Sequence, residues 1–214
     1  MTNVSLMVAE NLSPFAPALW GRLLADLPEA LHPGILVFRR WEDRQASLLA
    51  RLMLAARFGR AAPTQMRRDS YGRPGLDGSE FNISHADGVV VLATASERVG
   101  VDVERIRPVV LDDYGSALSD DELRRLESSP ERDRAFFALW TAKEAAVKAD
   151  GRGMTIPLAG VTIVDGVALI DGARWRLTPV PLGPEFMCHV ALRGGRDTPA
   201  AVVKVDVFPL PGEK

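Results

Sequence analysis

Hydrophobic positions along this chain switch between a period of two and a helical period, and the switches divide it into elements. Val4, Leu6 and Val8 alternate, which predicts a short early strand. Phe15, Leu19, Leu23 and Leu24 then predict a short helix within 15–27, with Pro14 and Pro17 near its start and Pro28 at its end. Leu48, Leu49, Leu52, Met53, Ala56 and Phe58 recur at helical spacing within 39–60, and Gly59 is placed to stop that helix. Residues 61–80 form a turn-rich connector containing Tyr71-Gly72-Arg73-Pro74-Gly75. Phe81–His85, Val89–Ala95 and Gly100–Glu104 read as adjacent antiparallel strands joined by short turns.

The second half repeats the theme. Ser119, with Glu122 three residues on, predicts a capped helix start. Ser129 and Pro130 are placed to cap and open a helix reaching Ala149, with Phe136, Leu139, Trp140 and Val147 on its apolar side and Gly151 at its end. Short strands follow at 161–164, 167–170, 175–177, 187–192 and 200–207, separated by Asp165-Gly166, Asp171-Gly172 and Gly194-Gly195 turns. Both halves thus offer one major helix followed by strands (39–104 and 120–207), which suggests a weak internal duplication with a hinge near Pro108.

Candidate chemistry concentrates in few places. In Gly100-Val101-Asp102-Val103-Glu104, strand alternation puts Asp102 and Glu104 on one face. Two carboxylates so placed repel unless a positive charge lies between them, and a hard divalent cation such as magnesium is the natural candidate. The plainer alternative is an edge strand whose acids pair with Arg105 and Arg107. Trp140, Glu144 and Lys148 lie one above another on a helix face. Glu144 and Lys148 make a surface ion pair or, if the chain folds back, Glu144 joins Asp102 and Glu104 as a third carboxylate. Arg40, Arg44 and Arg51 give the 39–60 helix a basic margin, read as a solvated face or an anion grip. Arg73 sits in a tight loop, and His85 at a strand end beside a turn can reach a ligand or be a satisfied polar residue.

Composition narrows the functional classes. The 214 residues suit one large domain or two small ones, and 47% hydrophobic with 25% charged residues is ordinary for a globular chain with a real core. A formal net charge of −2, with aromatics at 7% that do not interleave with a basic run, argues against nucleic-acid binding. The single cysteine, Cys188, excludes an internal disulfide and a cysteine metal cage and fits a cytoplasmic location. No apolar stretch approaches a membrane span and the start does not read as a signal peptide.

Taken together, Phe81-Asn82-Ile83-Ser84-His85, Gly100-Val101-Asp102-Val103-Glu104 and Trp140-Thr141-Ala142-Lys143-Glu144-Ala145-Ala146-Val147-Lys148, with Gly151 and Gly153 downstream, resemble the 4'-phosphopantetheinyl transferase superfamily. The length and the two similar halves resemble its Sfp type, from about Arg40 to Val207. The resemblance implies an α+β pseudo-dimer of two similar subdomains, 1–107 and 108–214, each a helix packed on a small, mostly antiparallel sheet. It implies an enzyme that moves 4'-phosphopantetheine from coenzyme A to a serine hydroxyl of an apo acyl, peptidyl or polyketide carrier protein, with release of adenosine 3',5'-bisphosphate. Fatty-acid, polyketide or nonribosomal peptide biosynthesis is the implied setting, and a monomer the implied state. The resemblance makes Asp102, Glu104 and Glu144 the magnesium site, with manganese as an alternative ion, and gives Asp102, Glu144 and Lys148 the catalytic roles. It also implies coenzyme contacts from Arg40, Arg44, Arg51, Arg73, Ser84, His85, Lys143 and Lys148. Ala86 stands where many relatives carry a small hydroxyl residue, and several family lysines appear here as arginine. The competing readings are a magnesium-dependent hydrolase of a coenzyme A or nucleotide diphosphate, and a non-enzymatic carrier-protein binding module.

Overall fold

The alternation that predicts strands also decides how the sheets stack. In the structure, a computed structural model that describes residues 2–210, β1 (Asn3–Asn11), β4 (Glu80–Ala86), β5 (Gly88–Ala95) and β11 (Val202–Val207) form one sheet in the order β11-β1-β5-β4. The second sheet has the order β6-β10-β9-β8-β7, from β6 (Val99–Arg105), β7 (Thr162–Val164), β8 (Val167–Ile170), β9 (Ala173–Pro179) and β10 (Phe186–Arg193). A small ribbon of β2 (Arg67–Arg68) and β3 (Pro74–Gly75) stands apart.

Val4 and Leu6 of β1, and Val89, Val91 and Ala93 of β5, face one common core with Val99, Val101 and Val103 of β6 and Cys188, Val190 and Leu192 of β10. The two sheets therefore bury these faces against each other. The opposite face of the first sheet, carrying Ala9, Val90 and Leu92, packs on Leu48, Leu49, Leu52 and Met53 of α3 (Trp41–Phe58). The opposite face of the second, carrying Ala168, Trp175, Leu177 and Ala191, packs on Ala142, Ala145, Ala146 and Ala149 of α6 (Arg132–Asp150). β5 reads as an unbroken apolar run because both of its faces are covered. The remaining helices are short: α1 (Pro17–Ala25), α2 (His32–Leu36), α4 (Ala62–Gln65) and α5 (Asp120–Glu127).

The architecture is the expected α+β pair of sheet-and-helix units, but the strands cross the expected boundary at 107/108. β6 does not pair with β5. It joins the second sheet through β10, antiparallel, with Asp102 opposite His189. In return β11 runs parallel to β1 and covers that edge of the first sheet. The second-half meander holds from β7 to β10, and its last predicted strand leaves it.

Helix ends follow local chemistry in most places. Gly59 ends α3 at φ +99° and Gly151 ends α6 in the left-handed region. Ser119 and Glu122 form the reciprocal capping box on α5. The expected start of α6 is corrected: its N-cap is Glu131 with no side-chain cap, and the Ser129 amide instead closes the end of α5 on the Leu126 carbonyl. That end of α6 is held by packing, since Phe136, Phe137 and Trp140 cluster with Tyr114, Leu118 and Leu126 from the preceding segments.

Candidate active site

The site is built where the edge of one sheet meets the edge of the other. β4 and β6 share no ladder; two buried side chains of β4 replace it. Asn82 Oδ1 accepts from the Val101 amide at 2.9 Å, and Ser84 Oγ accepts from the Val103 amide at 3.3 Å. Their spacing of two puts both on one face of β4, so they meet successive inward amides of β6. This satisfies an edge that would otherwise carry buried, unpaired donors.

The other face of β6 carries Gly100, Asp102 and Glu104 toward α6. Gly100 is there because the helix backbone is: a Cβ on it would lie 2.0 Å from the Ala145 carbonyl oxygen and 2.4 Å from the Ala149 nitrogen. Only glycine lets α6 come this close. The close approach brings Lys148 onto Asp102. Its ammonium donates to Asp102 Oδ1 at 2.6 Å and to Ser84 Oγ at 3.1 Å. Ser84 Oγ in turn donates to Asp102 Oδ1 at 2.9 Å, so the hydroxyl uses its one donor and both acceptor positions. Asp102 is buried, and its second oxygen, Oδ2, is enclosed without any hydrogen-bond partner.

Glu104 and Glu144 flank this centre. Burial pushes the Glu104 carboxyl above the usual range, and the Asp102 charge adds to it against the opposing Arg107 guanidinium, whose NH1 lies 3.2 Å from Glu104 Oε2. Burial likewise raises Glu144; the Lys148 charge opposes it, and Asp102 and Glu104 add to it. The three carboxylates thus sense one another across the β6–α6 contact. Among the described residues, no three such groups converge tightly enough to hold a metal ion as the side chains stand, and Asp102 Oδ1 is engaged by Lys148. The donor set nevertheless fits a hard divalent cation: hard oxygen donors, mutual repulsion, and one buried carboxylate oxygen with no partner.

His85 stands near the end of β4, with its residue surface partly open to solvent and its ring set in toward the site. Burial of its ring is the main cause of a lowered pKa, and the Asp43, Lys148, Asp102 and Asp87 charges all reach it. The structure therefore groups His85, Ser84, Asp102, Glu104, Glu144 and Lys148. The arginines are dispersed. Arg40 lies 3.4 Å from Asp87, two residues beyond His85, and 3.5 Å from Glu42. Arg44 donates to the Arg39 carbonyl at 3.4 Å. Arg51 donates to Ser47, keeps a buried Nε without a partner, and has its pKa lowered by burial and by nearby Arg68.

Two expected coenzyme contacts point elsewhere. Arg73, its side chain 11% exposed, donates to Glu80 Oε2 at 3.0 Å and to the Val99 carbonyl, and so ties the connector to the start of β6. Lys143 is 1% exposed, and its ammonium is spent on Glu122 Oε2, the Leu158 carbonyl and the Ala117 carbonyl. The helical turn that aims Glu144 at β6 aims its neighbour Lys143 at α5, which adjacency in sequence hides.

Sequence reading also missed His189, opposite Asp102 on β10. The Thr141 hydroxyl lies 2.8 Å from His189 Nδ1 and 2.7 Å from the Phe137 carbonyl. A hydroxyl that gives its proton to the carbonyl must accept from Nδ1–H, which sets the tautomer. Burial drops the His189 pKa to about 4. A cleft of about 440 Å3 opens beside Glu144 and Lys148, walled by Ser116, Ala117, Val147, Met154, Ile156 and Leu158.

Comparison with known proteins meets this geometry. The family model described as the 4'-phosphopantetheinyl transferase superfamily matches residues 98–201, which include β6 and α6. The 4'-phosphopantetheinyl transferase gsp of Aneurinibacillus migulanus is 39% identical over 43% of this chain and 40% of its own length. The 4'-phosphopantetheinyl transferase Sfp of Bacillus subtilis (strain 168) is 27% identical over 59% of this chain and 61% of its own. The chain thus spans less than two thirds of the length of each of these two relatives. A Synechocystis sp. relative named as a candidate 4'-phosphopantetheinyl transferase, slr0495, is 31% identical over 68% of each chain. On these matches, the chain belongs to the 4'-phosphopantetheinyl transferase superfamily.

Proposed function

We propose that the protein transfers the 4'-phosphopantetheine group of coenzyme A to a serine hydroxyl of an apo carrier protein. The observation that supports this best is the Lys148–Asp102–Ser84 contact, with its buried and unpartnered Asp102 oxygen, set between Glu104 and Glu144 at the junction of the two sheets. Such a junction sets one fixed cation, Lys148, among carboxylates at one point, as displacement at an anionic diphosphate demands.

Asp102, Glu104 and Glu144 would hold magnesium, or manganese in its place. When bound, the ion would neutralise diphosphate oxygens and stabilise charge on the transferred and leaving groups. Lys148 has one N–H beyond those given to Asp102 and Ser84, and it offers that donor to a diphosphate oxygen. Ser84 holds the Lys148 and Asp102 heads beside each other before substrate arrives. Glu144, at the cleft edge, would serve first as a ligand of the ion; it, or a water held there, would also take the proton of the acceptor hydroxyl. The electron pair of the P–O bond that breaks leaves with adenosine 3',5'-bisphosphate. His85 would meet a phosphate of the coenzyme's nucleotide end, with Arg40 and Arg44 beyond it, and Arg51 with its unpartnered Nε is the remaining candidate. A cytoplasmic monomer remains the expected form.

The test is to incubate the purified protein with coenzyme A, magnesium and a small panel of apo carrier proteins, then weigh the carriers. A gain of one phosphopantetheine, absent on a carrier with serine changed to alanine, supports the transfer. Cleavage of coenzyme A without a gain on any carrier supports the hydrolase; neither product, in a folded protein that binds magnesium and coenzyme A, supports a binding module or a partner outside the panel.

A further inference from the structure

We propose that Lys143 is a positioning residue: its single buried ammonium fastens both loop walls of the cleft beside Glu144 and Lys148. This rests on the transfer reading for its kinetic consequence, but the fastening stands on geometry alone. Lys143 Nζ has three N–H donors and three partners: Glu122 Oε2 at 2.7 Å, the Leu158 carbonyl at 2.9 Å and the Ala117 carbonyl at 3.3 Å. Ala117 and Leu158 belong to separate segments, one before α5 and one after α6, and both line the cleft. Glu122 Oε2 also accepts from the Ser119 amide at 2.8 Å, so the same carboxylate that receives the ammonium closes the start of α5.

The chemistry indicates why a lysine stands there. A buried ion pair is a poor source of stability, since apolar side chains of similar volume often do as well or better. A methionine could fill the space, but it cannot hold two carbonyls from different segments at fixed distances. What the ammonium supplies is the spacing of the walls. Glu144 and Lys148 are the polar end of the cleft, so wall spacing governs how a substrate is held against them and leaves their own contacts with β6 alone.

The test uses the double variant Lys143→Met/Glu122→Gln. Glutamine keeps a carbonyl oxygen for the Ser119 amide and leaves no unpaired buried charge. The expected result is a folded protein whose amides in 115–118 and 153–160 exchange hydrogen at least about tenfold faster, while those of β4 and β6 keep their wild-type rates. With transfer as the assay, KM for coenzyme A or for the carrier should rise about fivefold or more, with kcat within about twofold. Unchanged exchange in both wall segments overturns the proposal, and so does a fall in kcat at unchanged KM. If the wild-type protein transfers nothing, the transfer reading fails, and the exchange comparison alone decides the fastening.

Discussion

Gly100 of β6 faces the carbonyl of Ala145 on α6 so closely that a Cβ on the glycine would lie 2.0 Å from that oxygen. This contact sets the distance between the strand that carries Asp102 and Glu104 and the helix that carries Glu144 and Lys148. It is the structural condition for all four to share one site.

Gly100→Ala should therefore force β6 and α6 apart, because neither backbone can give way cheaply. A cost of about 2–4 kcal/mol is expected, with a fall in Tm of roughly 5–15 °C. Thermal unfolding followed by circular dichroism checks it, and a Tm within two degrees or so of wild type would contradict the close approach.

Asn82 and Ser84 should behave as a stitch between the sheets. Each alanine substitution leaves a buried β6 amide without its acceptor, at about 1–3 kcal/mol. Ser84→Ala also frees Lys148 and Asp102 from their shared hydroxyl, so it should lower kcat where Asn82→Ala mainly lowers stability. Urea unfolding and steady-state rates of both variants separate the two effects. Equal losses of activity at equal stability would remove the special role of Ser84.

His189 gives the protein an acid-side weakness. Its folded pKa, about 4, lies below its unfolded value near 6.5, so between those limits the unfolded chain binds the extra proton. Its contribution is complete above about pH 6.5 and is lost as pH falls toward 4, at most about 3 kcal/mol. Glu104 and Glu144, raised by burial, act in the opposite sense as pH rises above the usual carboxylate range. Comparing wild type with His189→Asn isolates the histidine: the difference in unfolding free energy should change steeply between pH 4 and 6.5 and be flat above. A difference independent of pH would show that the ring titrates normally.

Cys188 should be inert in the native protein. It is buried between the sheets, and burial drives its thiol up to about 12. A maleimide should label it only as fast as the protein opens, and immediately in denaturant. Rapid native labelling would place it nearer the surface than the structure does.

Local chemistry was largely legible in the sequence: the Ser119–Glu122 box, the Gly59 and Gly151 stops, and the face shared by Asp102 and Glu104. The grouping of Asp102 with Glu144 and Lys148 was legible only through the family resemblance, since nothing local joins β6 to α6. Strand exchange was not legible. β6 looks as able to pair with β5 as with β10, and the choice is made by Gly100 against α6 and by the amide acceptors on Asn82 and Ser84. The partners of Lys143 and Arg73 in the fold were not legible for a related reason. Sequence shows a cation near a motif, but whether it meets a ligand depends on which carbonyls and carboxylates the fold brings to it.

The central claim is that Asp102, held by Ser84 and Lys148, serves transfer of phosphopantetheine to a carrier serine. The most direct measurement is the rate of carrier modification, followed by intact mass, for wild type and Asp102→Asn at saturating coenzyme A, carrier and magnesium. The account predicts a loss of about a hundredfold or more in kcat, an effect on the order of 3 kcal/mol, with native circular dichroism retained. A variant that modifies the carrier within about threefold of the wild-type rate would contradict it.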